Sequence, residues 1–248
     1  MVVALIAVGL KGARGSEAEP APTSAAASSE PTTPTTSSTK PTTSTSSSTA
    51  TASPTTRKRP SYRSTGQYLR MTQGSPVRGR TTGQLLTYRV EVEQGSGVNP
   101  RQFAQAIDTT LRHPRGWTAG GDWRFQRVTT STPDLTIRLA TPKTVDKECA
   151  AAGANTDGYT SCRAGDLIML NLDRWYLGVP HVKNLATYRH YLINHEVGHG
   201  LGLGHERCPG KGRLAPVMLQ QTLGLQGCVA NAWPRTVGGR EITGPPTQ

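Results

Sequence analysis

The sequence predicts an α+β fold, with α/β as the alternative, on the strength of three patterns. Residues 86–92 alternate apolar and polar side chains, as a half-buried strand does. Residues 167–172 are an apolar run interrupted only by Asn171, long enough for one buried strand. Between Asn184 and Leu201, one stripe of side chains recurs at three- and four-residue spacing, which predicts a helix; it consists of Leu185, Tyr188, Leu192, His195 and His199. These elements make at most three packed layers.

One more helix and two more strands are predicted between these segments. The helix begins after Asn99, a good capping residue, with Pro100 in its first turn. Its apolar residues recur every four positions until His113 and Pro114 stop the pattern. Residues 123–128 and 135–139 are rich in β-branched and aromatic side chains, so each predicts a strand.

The composition divides the chain into four parts. Residues 1–15 contain a short apolar run, which predicts a signal peptide or membrane anchor and hence a secreted or surface-tethered protein. Residues 16–60 are mostly Ser, Thr, Pro and Ala and predict a disordered linker, because such a segment cannot bury a core. Residues 61–234 are predicted to form the ordered domain, and residues 235–248 a flexible tail.

The net charge of +12 bears on the partners of the chain. A positive excess favours an anionic neighbour such as a cell-wall polymer or lipid headgroups, although solubility alone explains it equally well. The basic residues are scattered, not clustered on one element with aromatic residues, so we expect no nucleic-acid binding. The chain is expected to be a monomer.

Four cysteines, an even number in a chain expected to be secreted, favour two disulfides. Three pairings are possible. The sequential one, Cys149 with Cys162 and Cys208 with Cys228, is favoured because each bond closes a short loop. A second zinc site made from these thiols is the weaker alternative, since the sequence has no C-x-x-C pair.

The end of the last predicted helix has the residues of a metal site. His195 and His199 are four residues apart, so both imidazoles can reach one ion from the same side of a helix. Glu196 lies in the same sector, beside the ion but not bound to it. Gly202 allows the chain to leave the helix in a left-handed conformation, after which His205 can return as a third ligand. The sequence therefore predicts a Zn²⁺ site.

Three protein ligands leave one position of a tetrahedral zinc site free, as in catalytic sites. A water bound there has its pKa lowered from about 15.7 toward about 7, and Glu196 would act as its general base. The predicted function is therefore that of a zinc peptidase acting on protein or peptide. Two alternatives stay open: an amidase of cell-wall peptides that uses the same residues, and a cell-wall or membrane-surface binding module with a non-catalytic zinc site.

Incidental histidines in a core helix are the structural alternative to a metal site. That alternative gives no reason for Gly198, Gly200, Gly202 and Gly204, since a glycine costs up to about 1 kcal/mol inside a helix. Close backbone packing around a metal, together with a sharp exit from the helix, requires some of them.

The spacing His195-Glu196-x-x-His199-x-x-Gly202-x-x-His205, followed by Pro216-Val217-Met218, resembles the metzincin signature and its Met-turn. The resemblance implies a twisted mixed sheet above a zinc cleft floored by the ligand helix, with Met218 beneath the ligands and a small disulfide-bonded C-terminal subdomain. It also implies an edge strand that aligns peptide antiparallel, expected at residues 159–163. Glu206 is similar to the astacin pattern, but Gln220 stands where astacins have a tyrosine.

A second resemblance covers about residues 85–234. It is to a family of actinobacterial secreted proteins known only as a domain of unknown function, and it implies a secreted, disulfide-bonded, metzincin-like domain without naming a substrate. The segments that carry it are residues 171–175, 194–199, 208–210, 215–218, 227–228 and 233–234.

Two polar residues near the motif are predicted to be structural. His190 is turned by roughly 140° from His195 around the helix, so it is expected to pack in the fold. Asp173 could orient a zinc-binding histidine, but capping of a turn is favoured.

Overall fold

The computed structural model describes residues 58–130 and 132–247. The predicted signal or anchor segment, and the linker up to residue 57, lie outside the described residues. In the described part, no helix is long and apolar enough to cross a bilayer. The elements are β1 (Tyr68–Arg70), β2 (Gln84–Glu93), α1 (Pro100–Leu111), a 3-10 turn (Trp117–Gly120), β3 (Trp123–Arg127), β4 (Leu135–Ala140), α2 (Pro142–Ala150), β5 (Cys162–Ala164), β6 (Leu167–Asn171), α3 (Leu172–Leu177) and α4 (Leu185–Gly200).

The six strands form one mixed sheet in the order β1-β2-β4-β6-β5, and β3 pairs with β2 outside this path. β2 runs parallel to β3 and β4, and β4 runs parallel to β6. β1 and β5 are antiparallel to their neighbours. β5 is therefore an edge strand, and it lies next to α4.

The pleat of the sheet divides its apolar side chains between two cores. Ile168 and Leu170 of β6 join the main core with residues of α1 and α4. Met169, between them, joins a smaller core with Val145 of α2. The helices thus cover both faces of the sheet, in three layers. Residues 191–198 of α4 are all buried, so this helix runs through the interior and not along the surface.

The structure contains every helix and strand that the local patterns predicted, with small shifts at the ends. Asn99 caps α1, and its side-chain oxygen accepts from the Arg101 amide at 2.9 Å. Two short helices were not predicted. α2 has few apolar residues, and α3 follows β6 directly because Asn171 accepts from the Asp173 amide at 2.9 Å and so caps a new helix where the apolar run ends.

Both disulfides have the sequential pairing that was favoured, Cys149 with Cys162 and Cys208 with Cys228. The first ties α2 to the edge strand β5. The second closes a loop after α4, whose buried residues form a small core of their own. The described part of the chain holds no free cysteine, so the thiol-based zinc site is excluded there.

Residues 235–247 were expected to form a flexible tail, and the structure differs. The Ile242 amide donates to the Pro234 carbonyl at 2.8 Å, and the Arg207 amide donates to the Pro245 carbonyl at 2.7 Å. The segment packs against the loop after α4, which lies about 40 residues earlier. The sequence of this segment, which is rich in Gly and Pro, does not indicate that it pairs with a distant part of the chain.

The first described residues also join the domain. Asp173 accepts from the Tyr62 hydroxyl at 2.8 Å and pairs with Arg59 at 2.6 Å. Asp173 therefore makes neither of the contacts considered for it, because its carboxylate ties residues 59–62 to the start of α3. Arg59, assigned to the linker from composition, belongs to the folded part.

Glu93, at the end of β2, is a buried carboxylate that joins three segments. It accepts from the Thr65 and Gly66 amides, the Thr141 amide and the Thr144 hydroxyl, all at 2.7 to 2.8 Å. Burial acts to raise the pKa of Glu93, but these hydrogen bonds outweigh it, so the pKa lies below its ordinary value of 4.5.

A Glu93→Gln variant is expected to lose about 2 to 3 kcal/mol of folding stability, because an amide donor would face donors in a buried site. The parent should also lose stability as the pH falls below about 4.5, since its folded-state pKa is lower than that of the unfolded chain. The variant should lose less stability over that interval. Thermal unfolding from pH 7 to pH 3 tests both statements, with the exposed Glu241→Gln as control. Equal stability of Glu93→Gln and parent at pH 7 would contradict them.

Candidate metal centre

The structure brings His195, His199 and His205 together, as the sequence predicted. His195 and His199 lie on α4, and the chain then turns at Gly202, whose φ of +85° is the left-handed conformation expected there. One ligand nitrogen from each histidine lies within 4.8 Å of the others, and the Nε2 atoms of His199 and His205 are 3.1 Å apart. The three histidines therefore form a group that could hold a metal ion.

Backbone carbonyls orient two of the imidazoles. Nδ1 of His195 lies 2.8 Å from the Val217 carbonyl, and Nδ1 of His199 lies 2.9 Å from the Leu203 carbonyl. A carbonyl can only accept, so each Nδ1 carries the proton and each neutral ring keeps its Nε2 lone pair. This tautomer and orientation are those of histidine metal ligands.

The charge state of the cluster also suits a metal. Burial, with the charge of His199 second, lowers the pKa of His195 to about 3. Burial is also the largest cause that lowers the pKa values of His199 and His205. All three rings are therefore neutral at pH 7, the form that binds metal. Zn–N bonds of about 2.05 Å place two ligand nitrogens of a tetrahedral site about 3.3 Å apart, which agrees with the 3.1 Å between His199 and His205.

Glu196 is the second unusual group of the site. Its side chain is only 4% exposed, and it lies next to His195 on α4. Its Oε2 has no hydrogen-bond partner among the described residues. Burial raises the pKa of Glu196 to about 8. A buried carboxylate atom without a partner costs free energy, so a role beyond packing is needed to explain it.

A cleft of about 460 Å³ opens over the histidines and Glu196. One wall is the edge strand β5 with the residues before it, so the strand expected at residues 159–163 is found at residues 162–164, at the sheet edge and beside the cleft. Another wall contains Gln220 and Thr222. Of the described lysines and arginines, Arg163 of β5 is the one that lines the cleft. Its positive charge contributes to the lowered pKa of His199.

The predicted Met-turn lies against both ligand-bearing segments. The Val217 carbonyl holds His195, and the Met218 carbonyl accepts from the Glu206 amide at 3.0 Å. The Met218 side chain lies against α4 at Gly198, where a Cβ would overlap Sδ of Met218. This close approach explains why the helix has a glycine at a buried position.

A Gly198→Ala variant is therefore expected to lower the melting temperature of the domain and to weaken metal binding, because the new Cβ would displace Met218 and meet the Trp117 ring at 3.0 Å. The expected cost is about 1 to 3 kcal/mol. Gly200→Ala is the matched control on the same helix, where the nearest atoms are flexible side-chain atoms of Leu135 at 3.1 and 3.2 Å. Thermal unfolding should separate the two variants. Equal melting temperatures would contradict the packing described.

Two buried amides that were not predicted hold residues 215–218 in place. Nε2 of Gln221 donates to the Pro216 carbonyl at 3.1 Å, and Nδ2 of Asn231 donates to the Ala215 carbonyl at 2.9 Å. Gln221 also accepts from the Asn231 amide at 3.0 Å. No motif or spacing marks these residues, because their partners are backbone groups brought near by the second disulfide loop.

The remaining predicted residues lie outside the cluster. His190 packs in the fold as expected, with Nδ1 2.8 Å from the Thr110 hydroxyl and its ring beside Trp233. Glu206 lines a second cavity, of about 400 Å³, which shares residues 203–205 with the cleft over the histidines.

The comparisons with known proteins give one finding about the family. A family model described as "Protein of unknown function (DUF3152)" matches residues 56–234. No curated protein matches the chain.

Proposed function

We propose that this chain, which belongs to the family described as "Protein of unknown function (DUF3152)", is a zinc-dependent peptidase of the metzincin type, with Glu196 as its general base. One observation carries the proposal: a buried carboxylate oxygen without a hydrogen-bond partner lies beside three convergent neutral imidazoles, at the floor of an open cleft. A purely structural metal site gives such a carboxylate no role.

The metal ligands and the general base have separate roles in the proposed reaction. His195, His199 and His205 would hold the ion, which when bound would supply Lewis acidity toward water and toward a substrate carbonyl. Burial alone raises the pKa of Glu196 to about 8, and the positive charge of a bound ion would lower it again. The ionised carboxylate would then accept the proton of the attacking water and pass it to the leaving amine. Its burial keeps this exchange away from bulk solvent.

The position of the edge strand β5 favours a peptide as the substrate. No strand of the described residues pairs with the outer side of β5, and β5 lines the cleft. An extended peptide laid along this edge would form main-chain hydrogen bonds in the way an added strand does. The peptide bond would then cross above the histidines. The same residues would serve an amidase of cell-wall peptides.

The proposed place of action is outside the cell, either free or tethered. Two disulfides suit an oxidising compartment. The net charge of +12 would favour an anionic cell-wall or lipid surface near the substrate.

Arg163 gives the proposed peptidase a substrate preference. Because this side chain supplies the positive charge of the cleft wall, peptides with Asp or Glu near the cleaved bond should be preferred. Arg163→Gln is expected to lower kcat/KM for acidic peptides about tenfold, equivalent to about 1.4 kcal/mol, and to change neutral peptides little. The exposed Arg101→Gln on α1 is the matched control. Equal losses for acidic and neutral peptides would contradict this preference.

The proposed function is tested with the full chain loaded with zinc and a library of mixed peptides, including cell-wall peptides. New termini are identified by mass spectrometry. We expect cleavage that stops when 1,10-phenanthroline removes the metal and returns when zinc is added. A zinc-loaded protein that cleaves none of these substrates would contradict the enzyme and favour a binding module with a non-catalytic metal site.

A further inference from the structure

We propose that residues 243–247, called here the strap segment, are a positioning element of the metal centre that fixes the third ligand, His205. The inference rests on the metal binding in the proposed function and does not depend on the reaction catalysed. The strap segment lies beyond the region matched by the family model and outside the zinc motif.

The strap segment pairs with the backbone of the ligand loop. The amide and the hydroxyl of Thr247 both donate to the His205 carbonyl, at 3.0 and 3.1 Å. The Arg207 amide donates to the Pro245 carbonyl at 2.7 Å, and Glu206 lies opposite Pro246 in an antiparallel bridge. The residues on both sides of this isolated bridge are therefore joined by backbone hydrogen bonds, and one of them is the ligand His205 itself.

The sequence of the strap segment suits this pairing. Pro245 and Pro246 restrict φ to about −65°, so less conformational freedom is lost when the segment is ordered. Pro246 lies opposite Glu206, and the hydrogen bonds of this bridge come from the residues on either side, so the missing amide hydrogen of Pro246 is not needed. Gly244 allows close approach, because a Cβ there would overlap the Arg207 carbonyl oxygen and lie 3.0 Å from Cγ of Pro216.

His205 depends on such support more than the other two ligands do. His195 and His199 belong to a buried helix, and each has its Nδ1 held by a carbonyl. Among the described residues, the ring of His205 has no hydrogen bond except the contact with His199. It also follows Gly204, whose missing side chain leaves open space on that side. The position of His205 is therefore set by the backbone of residues 205–207.

That backbone is held from two sides. The Glu206 amide donates to the Met218 carbonyl, and the strap segment binds residues 205 and 207. Removing the strap segment leaves the Met218 contact and frees the other side of the loop. The zinc would then have to order the loop on binding, so its affinity should fall.

The inference is tested by zinc affinity, measured by competition with a chromogenic chelator. The variants are a deletion of residues 243–248 and Gly244→Ala, with Gly238→Ala as the matched control in the same stretch of chain. A Cβ at Gly238 meets no atom closer than 3.9 Å. We expect the deletion and Gly244→Ala to weaken zinc binding about 10- to 100-fold, the range for groups that orient metal ligands. Gly238→Ala should bind zinc like the parent.

Two further readouts separate positioning from general stability. The zinc affinity of Gly244→Ala should fall by more than the stability of its metal-free form accounts for, and the visible bands of Co²⁺ should change in Gly244→Ala and not in Gly238→Ala. Parent-like zinc affinity in both the deletion and Gly244→Ala would overturn the inference, as would equal losses of affinity in Gly244→Ala and Gly238→Ala. A parent that binds no zinc is a different result, because it would contradict the metal centre itself.

Discussion

The Glu196→Gln protein is expected to bind zinc like the parent and to hydrolyse peptides about 10²- to 10⁴-fold more slowly, the usual contribution of a general base. The amide has nearly the shape of the carboxylate, so the packing of α4 should persist. It cannot accept the proton of the attacking water. The loss should appear in kcat, because Glu196 is assigned to proton transfer and not to substrate binding.

The comparison requires zinc content and kcat measured on the same preparations. Glu148→Gln is a suitable control, since Glu148 lies on α2, pairs with Arg138 and does not line the cleft. Hydrolysis by Glu196→Gln at the parent rate would remove Glu196 from the mechanism. Loss of zinc together with activity would mean that the carboxylate has a structural part in the centre.

The His195→Ala protein is expected to lose both metal and activity. Its imidazole is buried and held by the Val217 carbonyl, so no other side chain can replace it without repacking α4. Zinc affinity should fall by about 10³-fold or more, beyond the 10- to 100-fold typical of groups that only orient ligands. Elemental analysis after dialysis against a weak chelator should find about one zinc per parent chain and almost none in the variant.

His190→Asn is the matched control, because His190 lies on the same helix and contacts Thr110 and Trp233, not the cluster. It should keep its zinc, although some stability is lost with its packing. Equal zinc contents in the parent and His195→Ala would contradict the ligand assignment.

The site could be predicted because its residues are close together in sequence. Spacing on one helix places His195, Glu196 and His199, and one left-handed glycine turns the chain back toward them before His205, so local rules predict which four residues come together. The sequential disulfides followed from the same locality, since each closes a short loop.

What was not predicted depends on distant partners. The strap segment has no periodic pattern, and its role depends on the backbone groups of His205 and Arg207, with which it pairs. Gln221 and Asn231 act on backbone carbonyls and leave no motif. α2 is different, because Thr141 followed by Pro142 is a local sign of a helix start, although few apolar residues follow it.

Zinc K-edge X-ray absorption on the purified full chain measures the coordination of the bound metal. We expect one zinc per chain with three imidazole nitrogens at about 2.0 to 2.1 Å and one oxygen from solvent. Sulfur in the coordination shell, fewer than three imidazoles, or no bound metal would contradict this expectation.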